Sequence, residues 1–197
     1  MEGQPRVAVR AAAWAVVVTA VALSAQPGSL NVERQGDHLR LSAPSFHFLE
    51  GRPLERLHNG AAVPYLFTVT IEPVQGGGRT THLQRRFVVS YDLWEEKFAI
   101  VQEGRPPRSV SHLSAAAAEA WCLDSLLPGL PSLPAEKSFV VKLACSVAAD
   151  EEPPTGDGLT LSTLIEFFSR KGAAPPPRWE LASAPLRLAD LKDRSRR

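Results

Sequence analysis

Only two cysteines, Cys122 and Cys145, occur in 197 residues. Two thiols cannot build the multi-bridge framework of a small secreted scaffold. With no histidine at ligand spacing beside them, they do not make a zinc site either. An excess of one charge is also missing, since the chain carries 22 basic and 21 acidic residues. Without residues 1–25, which hold Arg6, Arg10 and Glu2, the two signs balance. A chain with no basic stripe lacks the phosphate-neutralising surface on which nucleic-acid binding rests, so no nucleic-acid partner is expected. The familiar catalytic signatures are absent as well. The five histidines, His38, His47, His58, His82 and His112, include no pair four apart around a glutamate. There is no Gly-x-Ser-x-Gly elbow and no dinucleotide fingerprint. The glycine run Gly76-Gly77-Gly78 is followed by Arg79-Thr80-Thr81, leading into a strand pattern. A phosphate loop would need a lysine and a helix there, so the run reads as a hairpin turn. No metal and no cofactor is expected. No internal repeat is present.

What the chain does have begins at its start. Arg6 and Arg10 precede an uncharged, mostly apolar run from Ala11 to Leu23, and small residues follow at Ala20-Val21-Ala22 and Ser24-Ala25. This is the pattern of a signal peptide over residues 1–25. The run is shorter than the roughly 20 apolar residues of a spanning helix, and no later segment is longer. No cysteine follows it to accept a lipid anchor. A periplasmic or secreted protein with no membrane span after cleavage is the expectation. Residues 26–191 then form one β-rich domain, and residues 192–197 a basic, solvated tail.

The densest run of β-branched and aromatic residues is Arg85 to Gly104. Phe87, Val89, Tyr91 and Leu93 share one face of an extended chain, and the pattern resumes after Glu96 with Phe98 and Ile100. Two strands joined through Tyr91–Lys97, either as a hairpin or as one bulged strand, are expected. Leu30 to Ser42 reads as a hairpin turning at Gln35-Gly36-Asp37. Leu54 to His58 reads as a short helix with Pro53 at its first position and Gly60 at its C-terminal cap. Val63 to Ile71 is a long strand, turning at Gln75–Gly78 into an antiparallel partner, Thr80 to Val89. Gly104–Arg108 is a rigid loop. A helix capped by Ser111 or Ser114 runs through Leu127, with Leu113, Ala116, Ala120, Leu123 and Leu127 as its core stripe. Ser114, Ala118 and Cys122 form a second face of small residues. Ser138–Ala148 is a strand. Asp150 to Gly158 is an acidic loop whose spacing fits no EF-hand. Ser162–Lys171 is a helix with a capping box at Thr163–Glu166. Trp179–Ala182 and Leu186–Leu188 close the chain as short strands.

The one constellation that could carry chemistry is Tyr91-Asp92-Leu93-Trp94-Glu95-Glu96. Carboxylates beside an aromatic ring occur in sugar-cleaving sites, which makes Asp92, Glu95 and Glu96 candidates for an envelope glycan hydrolase. Neighbours in a strand point to opposite sides, however, and the plainer reading is a corner. There Trp94 packs, Asp92 caps the turn, and Glu95 and Lys97 face water. A binding surface made of Tyr91, Asp92, Trp94 and Glu95 is the remaining alternative, since Tyr and Trp make good amphipathic contacts. Cys145 lies on the strand face of Phe139, Val141 and Leu143. Cys122 lies on a helix face away from the expected stripe. A Cys122–Cys145 bridge, which an exported compartment permits, and two separate buried thiols both fit.

Val89-Ser90-Tyr91-Asp92-Leu93, the Leu113–Leu127 helix and Trp179-Glu180-Leu181 together resemble the pattern of exported bacterial domains of unknown function. The resemblance implies a signal peptide followed by one β-rich periplasmic domain, and it carries over no catalytic residue. The fold class expected is α+β, mainly antiparallel β in a sandwich-like or curved sheet, with two helices packed on one face or end. The function expected is a non-enzymatic binding or structural module for a protein or envelope component. A glycan hydrolase using Asp92, Glu95 or Glu96 and a carrier of apolar ligands are the alternatives.

Overall fold

Alternation of apolar and polar residues with a period of two produces nine strands among the described residues, all but two of them in one antiparallel sheet. A computed structural model describes residues 29–75, 78–148 and 177–193. The expected signal peptide, the acidic 150–158 loop and the 162–171 helix lie outside the described residues. Among those described, no helix is long and apolar enough to cross a membrane.

The expected first hairpin is present as β1 (Asn31–Gln35) and β2 (His38–Ser42). Helix α1 spans Gly51–His58, beginning two residues before Pro53, and Gly60 follows it at φ +82°. That left-handed backbone is where glycine costs least, so the cap falls where the sequence placed it. Strands β3 (Val63–Pro73) and β4 (Thr81–Asp92) pair over nine positions, and β5 (Lys97–Gln102) pairs back on β4. The Tyr91–Lys97 connection is therefore a hairpin. Strand β7 (Ser138–Val147) lies on the other side of β3, and β8 (Arg178–Ala182) and β9 (Leu186–Arg187) pair with β7. The main sheet runs β6-β5-β4-β3-β7-β8, with β6 formed by Arg108–Leu113. Lys192, first residue of the expected free tail, accepts from Arg34 N at 3.0 Å, which ties that point of the chain to β1.

Two expectations are corrected. Arg108–Leu113 is a strand, β6, at the edge of the sheet, where a loop and the start of a helix were read. It looks polar because an edge strand can leave much of its surface to water. Helix α2 is also shorter and rotated relative to its expected stripe. It spans Ala115–Asp124, with Ser114 Oγ accepting from Ala117 N as the N-cap. Ala118, Glu119, Cys122 and Leu123 are buried, while Ala116, Ala120 and Leu127 are exposed. Ala118 and Cys122 of the small-residue face are buried together with Leu123 of the expected stripe, while Ser114, Ala116 and Ala120 are left exposed.

One face of the sheet forms the core. Tyr65, Phe67, Val69, Ile71, Phe87, Val89, Ile100, Phe139, Val141, Leu143 and Cys145 point to it and are almost fully buried. Leu39, Leu41 and Phe48 from the elements before β3, Leu57 from α1 and Leu126 just after α2 complete that core. Phe48 packs edge-on against Tyr65 and Phe67 at ring separations of 4.9 and 5.2 Å, and Phe67 against Phe87 at 5.3 Å. Each buried ring contributes roughly 2–3 kcal/mol by leaving water. Among the described residues this core is filled by side chains.

Within this core the Tyr65 hydroxyl is buried and has no hydrogen-bond partner among the described residues. Burial pushes its ionisation upward, with the neighbouring thiols and Glu119 adding to the effect. A buried hydroxyl without a partner costs more than it returns. Tyr65→Phe is therefore expected to raise stability by about 1 kcal/mol. A urea midpoint that falls instead would place a partner on that oxygen.

Candidate functional site

The β4–β5 hairpin gathers the sequence candidates at one corner. Strand β4 ends at Asp92, and the four residues Leu93–Glu96 turn the chain into Lys97. Asp92 Oδ1 accepts from Trp94 N at 2.8 Å and from Glu95 N at 3.1 Å, so its side chain replaces backbone bonds that the turn cannot make. Glu96 takes φ +53°, which reverses the chain. The corner is held from beside it as well. Between Phe98 and Ile100 the β5–β6 register slips, so that Ser111 and His112 together oppose Ala99. His112 sits in this bulge at φ +62°, and its Nε2 lies 3.0 Å from Glu95 Oε2. Bulges re-aim side chains in this way. Ser111 Oγ, 2.8 Å from His112 Nδ1, fixes the other side of the ring.

Tyr91 belongs to the wall behind the turn. Its ring lies 4.8 Å from Phe98 and 4.6 Å from His58 of α1, and it is half-buried. Trp94 does the reverse of what the corner reading expects. It does not pack: the residue is 96% exposed, and Leu93 beside it is 56% exposed. The turn requires this, because Asp92 binds the Trp94 amide and the side chain is left pointing outward. The result is a fixed backbone presenting an indole and a leucine to solvent, with Glu95, Glu96 and Lys97 around them.

The three carboxylates are not arranged across a cleft. Asp92 is occupied by backbone amides and Glu95 by His112, and all three residues are exposed on one turn. Neither the two-carboxylate geometry of a glycosidase nor a shielded proton donor is built here. The bonds from Glu95 N and Trp94 N, with a smaller contribution from His112, hold the Asp92 carboxyl below its ordinary value of 3.8. An NMR titration is expected to place its midpoint below 3.8. The sign follows from the direction. Asp92 supports the turn above pH 3.8, and the support is lost as pH falls through the lower folded-state value. A midpoint at or above 3.8 would mean that the cap is not formed in solution.

A second polar cluster escaped the sequence reading. Glu119 of α2 is 5% exposed, and its Oε1 accepts from Phe48 N at 2.8 Å and Leu49 N at 3.0 Å. Its Oε2 lies 2.9 Å from His47 Nδ1. Beside it Arg40 makes a two-pronged pair with Asp124 at 2.6 Å, and together these groups line a cleft of about 280 Å³ between β2 and α2. The lone pairs of Glu119 are committed to two backbone amides and a ring, which makes it a clamp for the 43–50 loop. The signal in the sequence was a glutamate inside an otherwise uncharged alanine run, Ala115-Ala116-Ala117-Ala118-Glu119-Ala120.

Cys122 and Cys145 are both buried and stand as free thiols. Burial pushes both thiols far up, with Glu119 adding to each shift. Such groups have little nucleophilic thiolate. Among the described residues no three His, Cys, Asp or Glu side chains are grouped to hold a metal. No family model matches the chain, and neither a curated protein nor a solved structure does.

Proposed function

We propose that this protein is an exported, non-enzymatic binding module of the cell envelope, which engages a protein partner through the β4–β5 turn. The observation that carries the reading is Trp94, 96% exposed on a turn whose backbone is fixed by Asp92 and by the Glu95–His112 pair. Burying an indole and a leucine removes a large apolar area from water, and a rigid turn loses little entropy when it docks. Aromatic residues placed this way dominate interface energies. The rim favours a protein over a lipid surface. Asp92, Glu95 and Glu96 outnumber Lys97, and acidic groups are repelled by anionic headgroups. The partner surface would offer an apolar pocket with basic residues at its edge. The signal-like start at residues 1–25 supports a periplasmic or secreted site of action.

The test is a photo-crosslinking residue at position 94, compared with one at Arg40 on the far hairpin, in cells exporting the protein. A discrete adduct at 94 alone is expected, competed away by the unlabelled protein. Trp94→Ala should compete about 30-fold less well, the loss of a central aromatic anchor, while its urea midpoint stays unchanged. No adduct at 94, or equal competition by Trp94→Ala, would sink the proposal.

A further inference from the structure

The opposite end of β5 holds a different kind of surface. Lys97 begins the strand beside the Trp94 turn and Gln102 ends it about 17 Å away, at some 3.3 Å per residue. There a cavity of about 440 Å³ lies between the end of β5, the β5–β6 turn, the start of β2 and the chain after α2. Pairing of Gln102 with both Phe87 and Arg108, and the bond from Glu103 N to Arg86 O at 3.0 Å, draw distant residues to this end. Arg85, Arg105, Arg108 and His38 line the cavity. The three arginines are exposed, and none makes an ion pair among the described residues. Arg85 donates one Nη1 bond to Gln84 O at 3.1 Å, which leaves most of its fork unused. The acidic lining residue, Glu103, is opposed by Arg86 Nε at 3.2 Å, so the cavity keeps its positive excess.

Gln102 adds a second, independent demand. It lines the cavity and is only 7% exposed. Its Nε2 donates to Ser125 O at 3.4 Å. A carbonyl can only accept, so this contact fixes the amide with its NH₂ towards Ser125. The Oε1 is then left buried with no donor among the described residues. A site of this composition offers cationic forks at its mouth and an unfilled acceptor at its floor.

We propose that the cavity binds a small hydroxylated oxyanion, a sugar phosphate or a sugar acid. Its charged group meets Arg85, Arg105 and Arg108, and one of its hydroxyls donates to Gln102 Oε1. Guanidinium forks match the spacing of phosphate and carboxylate oxygens. The volume falls in the range of small-molecule pockets and accommodates a single sugar ring. An inorganic anion held by the exposed arginines lacks the arm that would carry a hydroxyl donor to the buried Gln102. A neutral sugar has the hydroxyl and lacks the charge.

The test follows amide NMR shifts of the full chain at low salt during titration with glucose 6-phosphate, glucuronate, inorganic phosphate and glucose. Saturable shifts at Gln102, Glu103, Arg105, Arg108 and Ser125 are expected with at least one of the two hydroxylated anions. Which of the two binds tighter separates the phosphate from the carboxylate source. Binding should be about tenfold tighter than that of inorganic phosphate, and glucose should give none. Arg105→Gln and Arg108→Gln, both on the surface, should each weaken binding by about tenfold with the rest of the spectrum unchanged. Gln102→Met should erase the preference over inorganic phosphate, and if that variant does not fold the two arginine variants decide. No saturation by any probe, shifts that cluster elsewhere, insensitivity to both arginine variants, or equal affinity for inorganic phosphate would each overturn the proposal.

Discussion

Glu119→Ala is expected to lower stability by about 3–5 kcal/mol, because two buried amides and a histidine lose their acceptor at once. Among the described residues, Phe48 N and Leu49 N have no other partner than Glu119 Oε1. Leaving each unpaired inside the protein costs about 1–3 kcal/mol. The residues they belong to matter, since Phe48 is fully buried and packs on both Tyr65 and Phe67. Loosening the 43–50 loop therefore loosens the aromatic centre of the core. Glu119→Gln keeps an acceptor for the two amides and loses the charge facing His47, so a loss of about 1 kcal/mol is expected. Urea midpoints of the two variants check this, and an alanine cost no larger than the glutamine cost would mean that Phe46 and Phe48 hold the loop by packing alone. The hydrogen bond to Glu119 and its charge raise the His47 pKa above 6.5. A raised histidine adds stability that is complete below pH 6.5 and lost as pH rises through the folded-state value. His47 is largely solvated, so the increment is small, and its slope should shrink in Glu119→Gln, which leaves the weaker pull of Glu50.

What could be read from the residues alone divides along a physical line. The hairpins β1–β2, β3–β4 and β4–β5 and the strand β7 were legible because each buries one face, which stamps a period of two on the sequence. The phase of α2 was not legible. Ala115-Ala116-Ala117-Ala118 is apolar all round, so no contrast marks the buried side, and a buried Glu119 looks like a surface residue in any reading of hydropathy. Strand β6 was missed because its bulge at Ser111 and His112 breaks the alternation. The corner at Asp92 was legible as a turn, and Asp92 does cap it. The direction of Trp94 was not, since a large ring invites a packed reading and only the turn geometry sends it outward. The cluster of Arg85, Arg105 and Arg108 was beyond reach because a strand pairing, not sequence spacing, brings it together.

Cys122 and Cys145 are expected to resist alkylation in the native protein by about a thousandfold or more relative to an exposed cysteine, and to react fully once the protein is unfolded. Both are 0% exposed, one on the inward face of α2 and one on the inward face of β7. Reagent reaches them only through opening events. An opening of about 4 kcal/mol already reduces the accessible population to about one in a thousand. Their chemistry adds to the barrier, because burial first, then Glu119 for Cys122 and Cys122 followed by Glu119 for Cys145, disfavour the thiolate that reacts. The measurement is intact mass after timed iodoacetamide exposure, in buffer and in denaturant, on protein prepared without reductant. Two labels in denaturant and none in buffer are the expected result. A single fast label in buffer would show that α2 opens locally, which the clamp at Glu119 forbids, and Glu119→Ala should be the variant that produces it. No label in denaturant until a reductant is added would show the pair oxidised to a bridge. The inward face of α2 would then be tied covalently to β7, and the cost of Glu119→Ala would fall accordingly, since the helix could no longer leave the sheet when its clamp is cut.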